Sequence, residues 1–231
     1  NVGMKNIKNN FTLKLVFTFF LFGLTLLFVA FAIIFKLDEE RINKDIKSNA
    51  ELVYSLKKSL FDAYIEELDH KLAAVIDSKI FNQYIANNND VQKKAMAKEL
   101  LLNIAESSHH IMQLRYIDKD GMEIIRVDRS SYNRSPYLAP EQILQNKKHR
   151  YYFKESMDIA EGKVWYSKID LNMEYNEIEI PIKSVLRVAM PVFKDGLKEG
   201  VVILNVFMKE ILQKIVSSSS FDIFLLDRDE Y

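Results

Sequence analysis

Between Gly23 and Gly121 the chain contains neither glycine nor proline. Both residues are costly inside helices, so so long a stretch without them points to long helices. Residues 15–35, LVFTFFLFGLTLLFVAFAIIF, overlap the start of this stretch and run without a charge. About 20 apolar residues span the hydrocarbon core of a bilayer as a helix, so residues 15–36 are expected to be a transmembrane helix. Lys5, Lys8 and Lys14 precede the run without any acid, whereas Lys36 is followed by Asp38, Glu39 and Glu40. The excess of nearby lysine places residues 1–14 in the cytoplasm and residues from about 37 onward outside. A cleaved signal peptide is the competing reading, because Ala30-Phe31-Ala32 has the small-x-small form. Ile33, Ile34 and Phe35 follow it directly, and the run is long for a signal peptide.

Beyond the run, Ile42, Ile46, Val53, Leu56, Leu60, Tyr64, Leu68, Leu72, Val75 and Ile76 recur mostly at steps of three or four. This pattern predicts one amphipathic helix over 37–86, about 50 residues and roughly 75 Å long at 1.5 Å per residue. Such a helix is a stalk whose outer part packs on a domain. A homodimer is the expected assembly, although the spacing drifts from the strict heptad of a coiled coil. Asn87, Asn88, Asn89 and Asp90 break the helix, with Asp90 as N-cap of a second helix over 91–107.

The remainder has strand and turn composition. Residues 185–206 read as a central hairpin: apolar but for Arg187 and Pro191 up to Phe193, broken at Lys194-Asp195-Gly196, closed at Gly200, then aliphatic. Residues 111–128 read as a second hairpin around Asp118-Lys119-Asp120-Gly121. Short helices are expected at 140–145, 149–160 and 207–216, and a strand at 163–170. Residues 171–182 are either a strand pair turning at Tyr175 and Asn176 or an irregular loop. Residues 224–230 (FLLDRDE) repeat the form of 115–121 (RYIDKDG), as though a second, similar module begins near residue 221. The fold class is α+β, with a membrane helix, a long helix and a central antiparallel sheet.

Composition removes several functions. Lysine plus arginine and aspartate plus glutamate both number 32, with no basic stripe to bind nucleic acid. There is no cysteine, hence no disulfide, thiolate nucleophile or thiolate metal site. His109 and His110 are adjacent, would face opposite ways on a strand, and have no third ligand placed by sequence; neither a metal nor a cofactor is expected. No catalytic constellation is visible, so an envelope enzyme is the weakest reading.

In order along the chain, QLRYIDKDGMEIIRVDR (113–129), HRYYFKES (149–156), VWYSKIDLN (164–172), IEIP (178–181), LRVAMPVF (186–193) and GVVILNV (200–206) resemble the double Cache (PDC-type) extracytoplasmic sensor domains. These occur in bacterial histidine kinases, diguanylate cyclases and chemoreceptors. The resemblance covers roughly 40–227 and implies a PAS-like module over 87–216, distal from the membrane, followed at 217–231 by a linker and the first strand of a second module. It also implies a bacterial inner-membrane location with the sensor outside, and an output domain of the histidine kinase type, with a cyclase or chemoreceptor as runner-up.

A Cache pocket needs a few convergent polar groups on mostly apolar walls. The candidate ligand-binding residues are Arg150, Tyr152, Trp165, Tyr166, Asp170 and Arg187. Arginine offers a planar fork for a carboxylate, the aromatic residues a wall with a polar tip, and Asp170 an acceptor for a ligand ammonium. Arg187 stands out as a charge in an apolar strand, although alternate strand residues can simply face water. Trp165 and Tyr166 point to opposite faces of a regular strand, so only one would face the pocket. Amino-acid-binding Cache domains resemble this pattern but often carry Trp where this chain has Tyr. That departure leaves the ligand class open among amino acids, small carboxylates and no ligand at all; the expected partner is a small molecule, of amino-acid or carboxylate type if the resemblance holds there. A membrane-anchored module docking a periplasmic protein is the alternative.

Overall fold

The computed structural model describes residues 2–174 and 177–225, which divide into two compact units, residues 1–56 and 57–231. The first unit is helical, the N-terminal part of α1 (Val2–Ile76). Its large apolar side chains from Phe11 to Phe35 are exposed. By length and composition α1 is able to cross a membrane.

The second unit is an antiparallel sheet with helices on both faces. Its elements are the end of α1, α2 (Lys79–Ala86), α3 (Val91–Glu106), β1 (Ile111–Asp118), β2 (Glu123–Asp128), β3 (Tyr137–Leu138), a 3-10 turn (Glu141–Ile143), α4 (Tyr151–Asp158), β4 (Trp165–Tyr166), β5 (Asp170–Leu171), β6 (Met173–Glu174), β7 (Glu177–Ile178), β8 (Ser184–Lys194), β9 (Leu197–Phe207) and α5 (Lys209–Val216). The strand order is β3-β2-β1-β9-β8-β4, with β5 also on β8, and β6 pairs with β7 in a separate ribbon. The expected central hairpin is β8–β9, paired from Val185↔Phe207 to Lys194↔Leu197.

The long helix differs from its expected bounds. It ends at Ile76, and Ser78 caps the separate helix α2 by accepting from the Ile80 amide at 3.2 Å. Apolar periodicity continues through this break, because Phe81, Tyr84 and Ile85 are buried on the same core as Leu68, Leu72 and Val75. The capping serine was the only local sign of it. The expected helix at 140–145 is only the 3-10 turn. The expected strand at 163–170 is two short pieces. After Tyr166, the Ser167 hydroxyl accepts from the Arg187 amide at 2.9 Å and substitutes for a backbone carbonyl, and the chain leaves the sheet until Asp170. Residues 171–182 take the strand-pair form, as β6 and β7. Their turn at 175 and 176, and the end of the repeat at 226–230, lie outside the described residues.

Strand alternation gives the sheet two faces of different character. One face, with Leu114, Tyr116, Ile125, Val127, Leu186, Val188, Val202, Leu204 and Val206, packs under α1, α2, α3 and α5 in a single apolar core. Each fully buried Leu, Ile or Val there contributes about 1.5–3 kcal/mol. On the other face, Ile117, Ala189, Val201 and Ile203 pack under Tyr152 and Phe153 of α4. Val185 and Phe207 form a second small apolar cluster with Met112 and Tyr132, and between the two clusters that face is polar.

Gly200 lets β9 cross β1 closely. Its φ is +152°, and a β-carbon there would lie 2.1 Å from the Ile117 carbonyl oxygen. Both the backbone angle and the space exclude a side chain without movement of the sheet centre. Gly200→Ala is expected to lower the unfolding free energy by roughly 2–4 kcal/mol in denaturant titration followed by Trp165 fluorescence; a loss under about 0.5 kcal/mol would contradict this packing.

Candidate functional site

The polar part of the α4 face is built from strand register. Asp128 pairs with Gln113, Gln113 with Asn205, and Asn205 with Arg187, forming one polar row across β2, β1, β9 and β8. The adjacent row brings Arg126 beside Arg115. All six side chains are buried. Glu123, at the start of β2, is buried with them.

Burying so many polar groups requires each to find partners. Arg115 donates to Glu123 Oε1 at 3.2 Å, to Asn205 Oδ1 at 2.8 Å and to the Tyr152 hydroxyl at 3.4 Å. Arg126 donates to Asp128 at 2.8 Å and lies 3.5 Å from Glu123 Oε2. Glu123 Oε2 also accepts from the Gln145 amide at 3.0 Å. Asn205 donates to Gln113 at 2.9 Å and to Asn172 at 3.5 Å. Asn172 donates to Glu179 at 2.8 Å, and Glu179 is ion-paired with Lys183. The loop around β6 and β7 is thereby fastened over the sheet.

The expected binding residues fall into place unequally. Arg187 is only 2% exposed and ion-paired with Asp170. The Tyr151 hydroxyl donates to the other Asp170 oxygen at 2.8 Å. Burial, then the bond to Asp170, pushes the Tyr151 phenol up to about 12. The guanidinium carbons of Arg187, Arg115 and Arg150 lie 5.3, 5.4 and 5.6 Å from the centroid of the Tyr152 ring. Such placement is favourable for cations over an aromatic ring. Trp165 flanks the group, 6.1 Å from Tyr151 between ring centroids, and donates to Glu155 at 3.1 Å. Arg150, Tyr152, Trp165, Asp170 and Arg187 are thus brought together. Tyr166 is not. It pairs opposite Val188 of the apolar face, and its hydroxyl donates to Asp69 of α1 at 2.6 Å. Period-two alternation sends it to the helix side, away from Trp165.

At the β1–β2 end of the polar row, and lined by none of those five residues, lies a cavity of about 140 Å³, bounded by Met112, Gln113, Arg126, Asp128, Arg129, Ser130, Tyr137, Glu179 and Lys183. None of these residues was singled out from sequence. Arg129 is spoken for: it donates to the carbonyls of Ile111, Ala105, Ser108 and Arg134, securing the α3–β1 junction. Apart from Met112, the others are ionic or polar groups of both signs. The Nε atoms of Arg115 and Arg187 are buried without a hydrogen-bond partner among the described residues. Two guanidinium donors beside the same Tyr152 ring therefore retain capacity for an acceptor.

The ion pairs differ in what breaking them costs. Glu123 faces two buried arginines, so Glu123→Ala leaves Arg115 without a carboxylate and Arg126 with Asp128 alone, and is expected to cost about 3–5 kcal/mol. The Asp170 side chain is 38% exposed, and water can replace it. Asp170→Ala lets water in beside Arg187 but removes the carboxylate paired with that buried cation, and is expected to cost less than Glu123→Ala, about 1–2 kcal/mol. Denaturant titration of both variants checks the order; equal losses would contradict it.

The same fold occurs in solved sensor domains. A domain of a sensory box/GGDEF family protein from Vibrio parahaemolyticus superposes with a TM-score of 0.68 at 17% identity, covering 78% of this chain and 66% of that one. The extracellular domain of a histidine kinase superposes with a TM-score of 0.67 at 17% identity, covering 76% and 62%. The sensory domain of the Campylobacter jejuni chemoreceptor Tlp3 gives a TM-score of 0.61 at 14% identity, covering 81% and 70%; it has also been solved with isoleucine bound, a form that superposes with a TM-score of 0.57. The chain thus spans about two-thirds or less of the length of the first two. These are Cache-type sensor domains, as the ordered sequence motifs imply. A comparison with curated protein sequences finds no match. The model of the bacterial histidine kinase sensor domain matches residues 47–224, and the chain belongs to that family.

Proposed function

We propose that this chain is the extracytoplasmic ligand-sensing region of a bacterial transmembrane receptor, a sensor histidine kinase, anchored in the inner membrane by residues 15–36. A diguanylate cyclase or chemoreceptor output is the runner-up. The single observation that carries the reading is the buried polar face beside the 140 Å³ cavity. A polar network of this size is an expensive way to build a core, and apolar residues would stabilise the fold better. It is a suitable way to recognise a small polar molecule. The cavity is smaller than the roughly 300–1,000 Å³ of drug-sized sites, which suits a molecule of amino-acid or small carboxylate size. Arg126 and Lys183 on the cavity wall favour a carboxylate acceptor. The isoleucine bound by the Tlp3 sensory domain is of this chemical class.

Binding would draw the Asn172–Lys183 loop and α4 against the sheet. Two contacts offer a path from there to α1: the Tyr166–Asp69 hydrogen bond, one residue beyond Trp165, and Lys57, which donates to the Lys214 and Ser217 carbonyls at the end of α5. A ligand shifts such an equilibrium only by its difference in affinity for the two states. Homodimerisation through the exposed Ile42, Ile46, Leu52 and Leu56 of α1 belongs to the same reading. Docking of a periplasmic protein is the second reading, favoured by Ile180 and Ile182, which are 88% and 68% exposed on the loop over the site.

The test is a thermal-shift screen of the detergent-solubilised chain against amino acids, small carboxylates and amines. A ligand at 100 times its Kd stabilises by about 2.7 kcal/mol. The shift is expected to be lost in Arg187→Ala and Gln113→Ala while both variants stay folded. No shift with any compound, or a shift that both variants retain, would remove ligand binding from this face.

A further inference from the structure

Three buried polar atoms without a hydrogen-bond partner among the described residues belong to one neighbourhood: the Tyr64 hydroxyl, His110 Nδ1 and Glu210 Oε2. They come from α1, the residue before β1, and the first turn of α5. The His110 ring lies edge-on between two tyrosines, 5.1 Å from Tyr64 and 5.2 Å from Tyr132 between centroids. Its carbonyl accepts from the Phe207 amide at 2.9 Å, where β9 ends and α5 is about to begin. None of these side chains takes part in the polar network under α4.

We infer that this junction is a proton-responsive site, in which His110 takes up a proton from solvent as external pH falls and loosens the attachment of α1 and α5 to the base of the sheet. Neutral imidazole suits an aromatic enclosure, since it carries no charge and Nδ1 can remain an unprotonated acceptor. Adding a proton at Nδ1 makes the ring a cation with two N–H donors, which its surroundings were not built to hydrate.

The groups facing His110 oppose one another. Burial is the largest influence and disfavours the charged ring; Glu67 of α1 favours it, Lys214 of α5 disfavours it, Glu210 of α5 favours it, and neighbouring His109 disfavours it. The balance lies below the ordinary value of 6.5. Because the fold holds the neutral form, its stabilising contribution is complete above about 6.5 and is lost as pH falls through the lowered value. The response therefore begins as pH falls below about 6.5. It acts on α1 through Tyr64 and on α5 through Glu210, beside the Lys57 contact with the end of α5.

The test uses the full chain in nanodiscs. NMR titration of the histidine rings is combined with amide hydrogen exchange from pH 8 to pH 5, corrected for intrinsic rates. The expected result is a His110 midpoint below 6.5, and a loss of protection in α1 near Tyr64 and in α5 that sets in below about 6.5 and levels off below that midpoint. That loss is up to about tenfold for each pH unit between the folded and ordinary values. His110→Gln is expected to flatten the exchange profile. Glu210→Gln is expected to move the midpoint down and Lys214→Gln to move it up, opposite signs that a merely structural role would not produce. An unchanged profile in His110→Gln, a wild-type midpoint at or above 6.5, or shifts of the Glu210 and Lys214 variants in the same direction would overturn the inference. Should His110→Gln fail to fold, the other two variants decide.

Discussion

The Arg115 guanidinium, buried at the middle of the sheet, is the interaction around which the α4 face is arranged. A buried cation must have both an opposite charge and enough acceptors, or the fold does not tolerate it. Arg115 takes its charge from Glu123 on β2, its second acceptor from Asn205 on β9 and its third from Tyr152 on α4. Each partner carries an obligation of its own. Glu123 also faces Arg126, Asn205 also holds Gln113 and Asn172, and Tyr152 lies under two more arginines. One buried charge thus sets the register of three strands, the seat of a helix and the position of the β6–β7 loop.

The reverse face has the opposite logic. Its residues are almost all aliphatic or aromatic, its packing is contributed by four helices, and it carries most of the apolar burial. Apolar burial and the polar network are therefore carried by different sides of one sheet. This division is what allows a polar face to exist, because the apolar side offsets the desolvation of the other.

Much of the fold was legible because it rests on local signals. The turn at Lys194–Gly196, the Asp90 cap and the alternation in the two hairpins each leave a mark in a few neighbouring residues. The site was half legible. Arg187 was conspicuous as a charge in an apolar strand, and Arg150, Tyr152, Trp165 and Asp170 do gather near it. Gln113, Arg115, Arg126 and Asn205 were open to a similar test, since each stands between two apolar or aromatic neighbours on its strand. What was not legible is which face each strand turns inward. That follows from pairing across residues far apart in sequence, such as Arg115 with Ile203 and Gln113 with Asn205. Tyr166 went astray for the same reason: only the register of β4 on β8 decides between the pocket and α1. The break at Ser78 was hidden because the apolar pattern continues across it.

Strand geometry also links the two faces. Arg187 and Val188 are neighbours on β8, and Asn205 lies between Leu204 and Val206 on β9. The first of each set belongs to the polar network and the others to the core beneath the helices. Alternate side chains share one backbone, and in this sheet that backbone is paired on both sides along β9. A paired central strand has little freedom to twist one face without the other. A change in the partners of Asn205 is therefore borne by Leu204 and Val206, and so by the apolar core they share with α1. The sheet needs no separate conduit to join its polar row to the long helix, because the strands that present that row are the strands on which the helices rest.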